Sequence, residues 1–355
     1  VTSKHRYGPA TRLLIGTYTQ WMPWVDGKAD GILGAGSEAA QATPLAEVSN
    51  PSYLATTSDG RFVYAVTELP DGLVTSFEHT PSGLKRIGAR PSGGGGPCHF
   101  AVSPDDRFVV VANFIGGTVV AFPIREDGSL AEPASSIAHP GPASRAVPGR
   151  QESPHPHMIA FDPVTGSVLV PDLGMDAVVV HRLRDGSLEC EQMVHFPAGS
   201  GPRHLAFHPS GSACYVVEEL TNVLATLIRT DSGFELTDRV STLPAGTAGG
   251  LASTVRVTAN GEHLFVSNRG SDTIATFKVE NTLRPTLSAV TSAGGRTPRD
   301  MALSIDGLFL FVANQDSDQI MQFAVDASAR LRSLRTVAAA TPVCVLAPLN
   351  VEEGK

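Results

Sequence analysis

One arrangement of apolar and polar positions recurs along the chain. A proline is followed by two residues, an apolar residue, a small residue and a turn, and then by an apolar run that ends on a polar side chain. It reads Pro51-Ser52-Tyr53-Leu54-Ala55 before the run Phe62 to Val66, and Pro97-Cys98-His99-Phe100-Ala101 before the run Phe108 to Ala112 and Asn113. Copies start near residues 51, 97, 156, 202, 252, 298 and 342, at spacings of 46, 59, 46, 50, 46 and 44 residues. Ala252 replaces the proline in the fifth copy, and the seventh stops after its first apolar segment.

Each copy predicts four short strands. The first follows the proline, an Asp-Gly type turn leads into the second, a third follows another turn, and a looser fourth completes the unit. Four strands in about 45 residues is the pattern of a propeller blade, and seven first strands predict an all-β, seven-bladed β-propeller with four-stranded antiparallel blades. The N-terminus enters mid-unit at Arg12-Leu13-Leu14-Ile15-Gly16-Thr17, which reads as a second strand. The C-terminal strand from Pro342 is therefore expected to join residues 12–48 in a composite last blade, closing the ring so that no strand edge is left unpaired. This makes residues 1–355 a single domain. Two tandem sandwiches would need a central linker, and the Gly- and Pro-rich stretch 139–156 is the candidate for it. Because that stretch falls inside the 59-residue spacing, it reads as an enlarged loop.

Composition agrees with this pattern. The 35 glycines and 26 prolines among 355 residues starve long helices, and 42% hydrophobic residues supply a core. No apolar run is long enough for a membrane helix. A formal charge of −8 argues against a general nucleic-acid binder. Cys98, Cys190, Cys214 and Cys344 form no CxxC pair, which disfavours a disulfide framework or zinc site and favours a reducing compartment. The first residues, Val1 to Tyr7, carry basic side chains and no apolar signal segment. The expected location is cytoplasmic, as a monomer or homodimer without nucleic-acid or membrane partners.

The first two strands of a blade are antiparallel, so the start of the first and the end of the second share one end of the ring. Around that mouth the repeat places Ser52, Cys98, His157, Arg203, Ser253, Arg299 and Val343, and beside them Glu68, Phe114, Leu173, Glu219, Arg269 and Gln315. His155 and His157 flank Pro156, His204 follows Arg203, and Arg256 stands where five other copies have Ala and the last has Leu. A His, a Glu and several Arg at one mouth suit an anionic carbonyl substrate. Guanidinium forks hold carboxylate, phosphate or a developing oxyanion, and a base of tuned pKa activates water. Asn113, Asn268 and Asn314 read as backbone-bonding repeat residues. His155 and His157 lack a nearby carboxylate pair to complete a metal cage. Gly93 to Gly96 lacks the following helix and Lys of a phosphate loop.

The phrases His155-Pro156-His157, Gly201-Pro202-Arg203-His204-Leu205-Ala206-Phe207-His208-Pro209, Val266-Ser267-Asn268-Arg269-Gly270 and Pro298-Arg299-Asp300 resemble the seven-bladed propeller lactonase family over about residues 12 to 348. The family includes propeller-type 6-phosphogluconolactonases and carboxymuconate lactonizing enzymes. The resemblance implies a metal- and cofactor-independent lactonase acting on an anionic sugar-acid lactone; a lactonizing lyase or a non-catalytic interaction scaffold is the alternative. Its catalytic set of one His, two Arg and one Glu falls on His157 (or His155), Arg203, Glu219 and Arg256, with His155, His204, Arg269 and Arg299 as substrate-binding neighbours. A histidine base of ordinary pKa implies activity that falls below about pH 6. Glu218, Ala252 with Ser253, and the aromatic segment from Gln20 to Lys28 depart from the family pattern; Trp21 and Trp24 are expected to pack between blades.

Overall fold

Each copy of the repeat folds into an antiparallel four-stranded sheet in the computed structural model, which describes residues 12–36, 38–247 and 249–347. The chain is an all-β, seven-bladed propeller. Blades 1 to 6 are consecutive and span residues 54–91, 97–138, 160–195, 202–241, 251–292 and 298–338. Blade 7 combines the strand Pro342–Leu346 with Arg12–Thr17, Gly31–Gly36 and Thr43–Glu47. The C-terminal strand pairs antiparallel with the N-terminal one, Leu14 opposite Leu346 and Ile15 opposite Val345. Residues 1–11 and 348–355, including the N-terminal basic segment, lie outside the described residues.

The apolar runs are the second strands. Val109, Val110 and Val111 in blade 2 and Tyr215, Val216 and Val217 in blade 4 are wholly buried, because each second strand is covered on both faces by neighbouring blades. The polar residue that ends the run has a backbone task. Asn113 Nδ2 donates to Ser92 O at 3.0 Å, and Asn314 Nδ2 to Ala293 O at 2.9 Å. Glu218, in the same row, instead takes the Arg239 guanidinium on both oxygens at 2.6 and 2.7 Å, so this departure from the family phrase is structural.

Two repeated devices shape the mouth. The residue after the repeat proline is an extra one in the ladder: register shifts fall between Pro97 and His99, between Pro202 and His204, and between Pro298 and Asp300. Such a bulge re-aims its side chain, here that of Cys98, Arg203 or Arg299. The second device is a carboxylate in the turn after the second strand. Asp176, Asp272 and Asp318 have φ of 50°, 52° and 51°, a left-handed conformation that Asp tolerates. Each accepts the N–H just before the next blade's repeat proline, from Gly201 at 2.7 Å, Thr297 at 2.8 Å and Thr341 at 2.9 Å.

The stretch 139–156 packs on blade 3. Buried Gln151 donates to Leu173 O and Asp176 Oδ1, both at 2.7 Å, and a Cβ at Gly174 would stand 1.8 Å from Ser153 O, so only glycine permits this approach. At the loop's start, buried His139 lies 2.7 Å from Asp172 Oδ2 and 3.3 Å from the His181 ring. Trp21 and Trp24 do not pack between blades. They sit on a two-stranded hairpin, 72% and 58% exposed, while Met22 and Val25 point inward against Tyr18 and Val343. Alternation across the short hairpin turns one pair in and the other out.

We propose that residues 1–355 act as one domain, in which blade 7 depends on both ends of the chain. Deleting residues from Pro342 onward removes buried Val343, Cys344 and Val345 and strips the partner from Arg12–Thr17. The expected result is a lower melting temperature with aggregation. A truncated chain that stays soluble and melts at the wild-type temperature would refute it.

Candidate active site

The site grows from backbone bonds between the two rows of the mouth. The N–H of Glu219 bonds Gly201 O at 2.8 Å, and that of Leu173 bonds His155 O at 3.0 Å, tying the end of each second strand to the residue before the repeat proline. Gly201 has φ of +63° and is also held by Asp176, which sets the bulged Arg203. These bonds place Arg203 and Glu219 side by side, with His157 from blade 3 and Arg269 from blade 5 next to them.

Glu219 is the hub. It is buried and lies 2.8 Å from both Arg203 Nε and Arg269 Nη2, and its other oxygen pairs with Arg150. Arg203 Nη1 donates to Ser253 O at 2.7 Å, while the Nε edges of Arg203 and Arg269 lack a well-aligned acceptor. On the far side, Arg299 Nη2 donates to Tyr18 Oη at 2.8 Å and its guanidinium lies 5.3 Å over the Tyr18 ring. Tyr18 Oη in turn donates to Glu68 at 2.9 Å. Four arginines (150, 203, 269 and 299) face two carboxylates (68 and 219), a positive excess in a chain of net charge −8.

Burial and this charge set the protonation states. Burial, reinforced by Arg203, holds His157 neutral with its pKa well below the ordinary 6.5. Its Nδ1 is sealed and unpartnered. Burial and repulsion from Arg269 push Arg203 down to about 9, which leaves it charged at neutral pH. Burial alone would raise Glu219, but Arg269, Arg203 and Arg150 outweigh it and keep the carboxyl far below the usual carboxylate range. The expectation of an ordinary histidine pKa does not fit this burial: a histidine held this low keeps its basic form through pH 6, and a carboxylate clamped by three guanidinium groups is a poor base.

A second tier lies deeper in the channel. Arg256 is three residues along the strand from Ser253, about 10 Å at the rise of a β-strand. It does not join the Glu219 cluster: Nη2 pairs with Asp300 at 2.7 Å, and Asp300 also accepts Val345 N at 3.1 Å, stitching blades 5, 6 and 7. The place beside Glu219 that the resemblance implied for Arg256 is taken by Arg269. His204 belongs to this floor as well. Its Nδ1 is 3.1 Å from Thr254 Oγ1, its ring lies 5.4 Å from those of His157 and His99, and burial holds it neutral, which suits it to packing under a ligand rather than to binding an anion. His155 stands at the rim, stacked 4.4 Å from Phe114 with Nδ1 donating to Phe114 O at 2.7 Å. Among the described residues, no three His, Cys, Asp or Glu side chains are grouped to hold a metal ion.

The repeat places Glu68 at this mouth, but nothing in the sequence singles out Arg150 or Tyr18 as site residues. Arg150 was signalled only by the spacing, 59 residues where the neighbouring ones are 46, and nothing local marks it.

A seven-bladed ring whose mouth holds a neutral imidazole over an arginine-clamped carboxylate defines a class, and the family model described as "Lactonase, 7-bladed beta-propeller" matches residues 12–347. The chain belongs to that family. It is 35% identical over 300 residues to the 6-phosphogluconolactonase of Bacillus subtilis (strain 168), covering 81% of this chain and 83% of that one. The structure of the periplasmic gluconolactonase of Pseudomonas aeruginosa superposes with a TM-score of 0.86 at 32% identity, over 96% of this chain and 99% of that one. A crystal structure of a Lactobacillus plantarum protein matches with a TM-score of 0.87 at 31% identity, over 94% and 98%.

Proposed function

We propose that the chain is a metal-independent lactonase that hydrolyses an anionic sugar-acid lactone, of the 6-phosphogluconolactone kind, at this channel mouth. The observation that carries the reading is the buried Arg203–Glu219–Arg269 cluster beside neutral His157. The names of the relatives, 6-phosphogluconolactonase and gluconolactonase, both point to sugar-acid lactones.

In this reading the lactone carbonyl lies on the Arg203 and Arg269 edges. Water attacks its carbon while His157 takes a proton, and the carbonyl oxygen becomes an oxyanion held by the two guanidinium groups. The ring C–O bond then breaks and the proton passes to the departing alkoxide, giving the open hydroxy acid with no net change at His157. The depressed basicity of His157 is partly restored as the oxyanion forms over Arg203, because its charge offsets the guanidinium that disfavours the imidazolium. Glu219 holds both arginines in place.

Arg203→Lys and Arg269→Lys keep the charge but lose the planar fork. Each is expected to lower kcat/KM by roughly 10- to 1000-fold on an accepted lactone. Arg256→Lys, in the tier below the cluster, is expected to act mainly on stability through Asp300. Full activity of both Arg203→Lys and Arg269→Lys, with spontaneous hydrolysis subtracted, would remove the oxyanion role.

A further inference from the structure

Arg150 differs from the other arginines of the mouth in origin and exposure. It comes from the 139–156 insertion and not from a strand of the ring. Its side chain is 34% exposed, against 3% for Arg203 and 13% for Arg269. Among the described residues it pairs with Glu219 alone. Arg203 and Arg269 both hold Glu219 Oε2, whereas Oε1 is held by Arg150 through Nη2 alone. The rest of the Arg150 fork has no partner among the described residues and can take a second acceptor without giving up Glu219.

The loop beneath Arg150 is by contrast firmly built. Arg150 N donates to Val147 O at 3.1 Å, Val147 N to Gln151 Oε1 at 3.1 Å, and Gln151 to Asp176, the same carboxylate that holds the N–H of Gly201 before Arg203. A rigid arm thus carries one partly exposed guanidinium to the solvent side of the site, at a fixed position relative to Arg203.

We infer that Arg150 is the specificity-determining residue of the mouth: while Nη2 holds Glu219, the unused edge of its fork binds a second anionic group carried by the lactone away from the reacting carbonyl, and so selects phosphorylated over neutral sugar-acid lactones. The inference rests on the lactonase reading of the same site. Arg203 and Arg269 serve the carbonyl, which every lactone has; Arg150 serves the group that only some have.

The test compares wild type, Arg150→Gln and Arg150→Lys on 6-phosphoglucono-δ-lactone and on glucono-δ-lactone, with spontaneous hydrolysis subtracted. Arg150→Gln is expected to lower kcat/KM on the phosphorylated lactone by about 10- to 100-fold, the size of one lost charge-assisted contact, chiefly through KM. On the neutral lactone any fall reports only the support that Arg150 gives Glu219, and it is expected to be smaller than on the phosphorylated lactone by about 5-fold or more. Arg150→Lys should recover part of the loss. An equal fall on both lactones would make Arg150 a structural prop of Glu219, and that result, an unchanged rate on both, or a wild type with no preference for the phosphorylated lactone would overturn the inference. A wild type inert on both would instead sink the lactonase reading. Calorimetric binding of 6-phosphogluconate then still tests Arg150: binding weakened in Arg150→Gln supports it, and unchanged binding overturns it.

Discussion

Replacing His157 by Ala or Gln is expected to lower kcat by roughly 100-fold or more, the usual cost of removing a general base. The side chain is buried, neutral and next to Arg203 and Glu219, and no other imidazole of the mouth is placed as well. His204 is the floor and His155 is committed to Phe114 O. The pH profile separates the candidates. Since the His157 pKa is depressed, the imidazole keeps its basic form as pH falls through 6.5, and protonation sets in only well below that value. For the folded enzyme, kcat/KM is therefore expected to hold as pH falls from 8 through 6.5, because this parameter reports the free enzyme's ionisations. A rate that halves near pH 6.5, together with an active His157→Ala variant, would move the base to His155.

The second large effect is acid destabilisation. Burial holds His99, His157 and His204 neutral with pKa values well below 6.5, and it pushes His181, beside His139, down to about 3. In the unfolded chain all four take protons near pH 6.5. Below that pH the unfolded state thus binds more protons than the native one, and stability is lost as pH falls. Each proton contributes about 1.4 kcal/mol per pH unit, so four approach a slope of ~5 kcal/mol per unit below pH 6. Glu219, also depressed, adds a further loss of the same sign below its ordinary carboxylate value. Chemical denaturation at pH 7.5, 6.5 and 5.5 should show a steep fall in unfolding free energy, with the slope reduced by about one proton in His181→Gln. Equal stabilities at pH 7.5 and 5.5 would mean that these rings are protonated in the native state.

Much of the molecule is legible in the repeat. The run Phe108 to Ala112, apolar at every position, forms a strand because only burial on both faces accommodates it, and its recurrence determines blade number and the composite seventh blade. The same periodicity put His157, Arg203, Glu219 and Arg269 at one mouth, since residues equivalent in each blade share an end of the ring. Arg256 marks where this reasoning stops. An Arg replacing Ala is conspicuous in the sequence, but which channel tier a side chain occupies depends on the bulge after the repeat proline and on whether a partner such as Asp300 lies in reach.

Protonation states were equally hidden. A histidine in a sequence carries its solution pKa, and only burial, reinforced by Arg203, holds the His157 ring neutral well below that value. Arg150 came to the site through a loop whose length was visible and whose path was not. A repeat specifies the positions it repeats, and the local sequence alone determined the strands, their number and the end of the ring where chemistry gathers. Contacts made across blades, between residues 69 positions apart like Arg150 and Glu219, come from packing, and tertiary structure alone decided which charges meet.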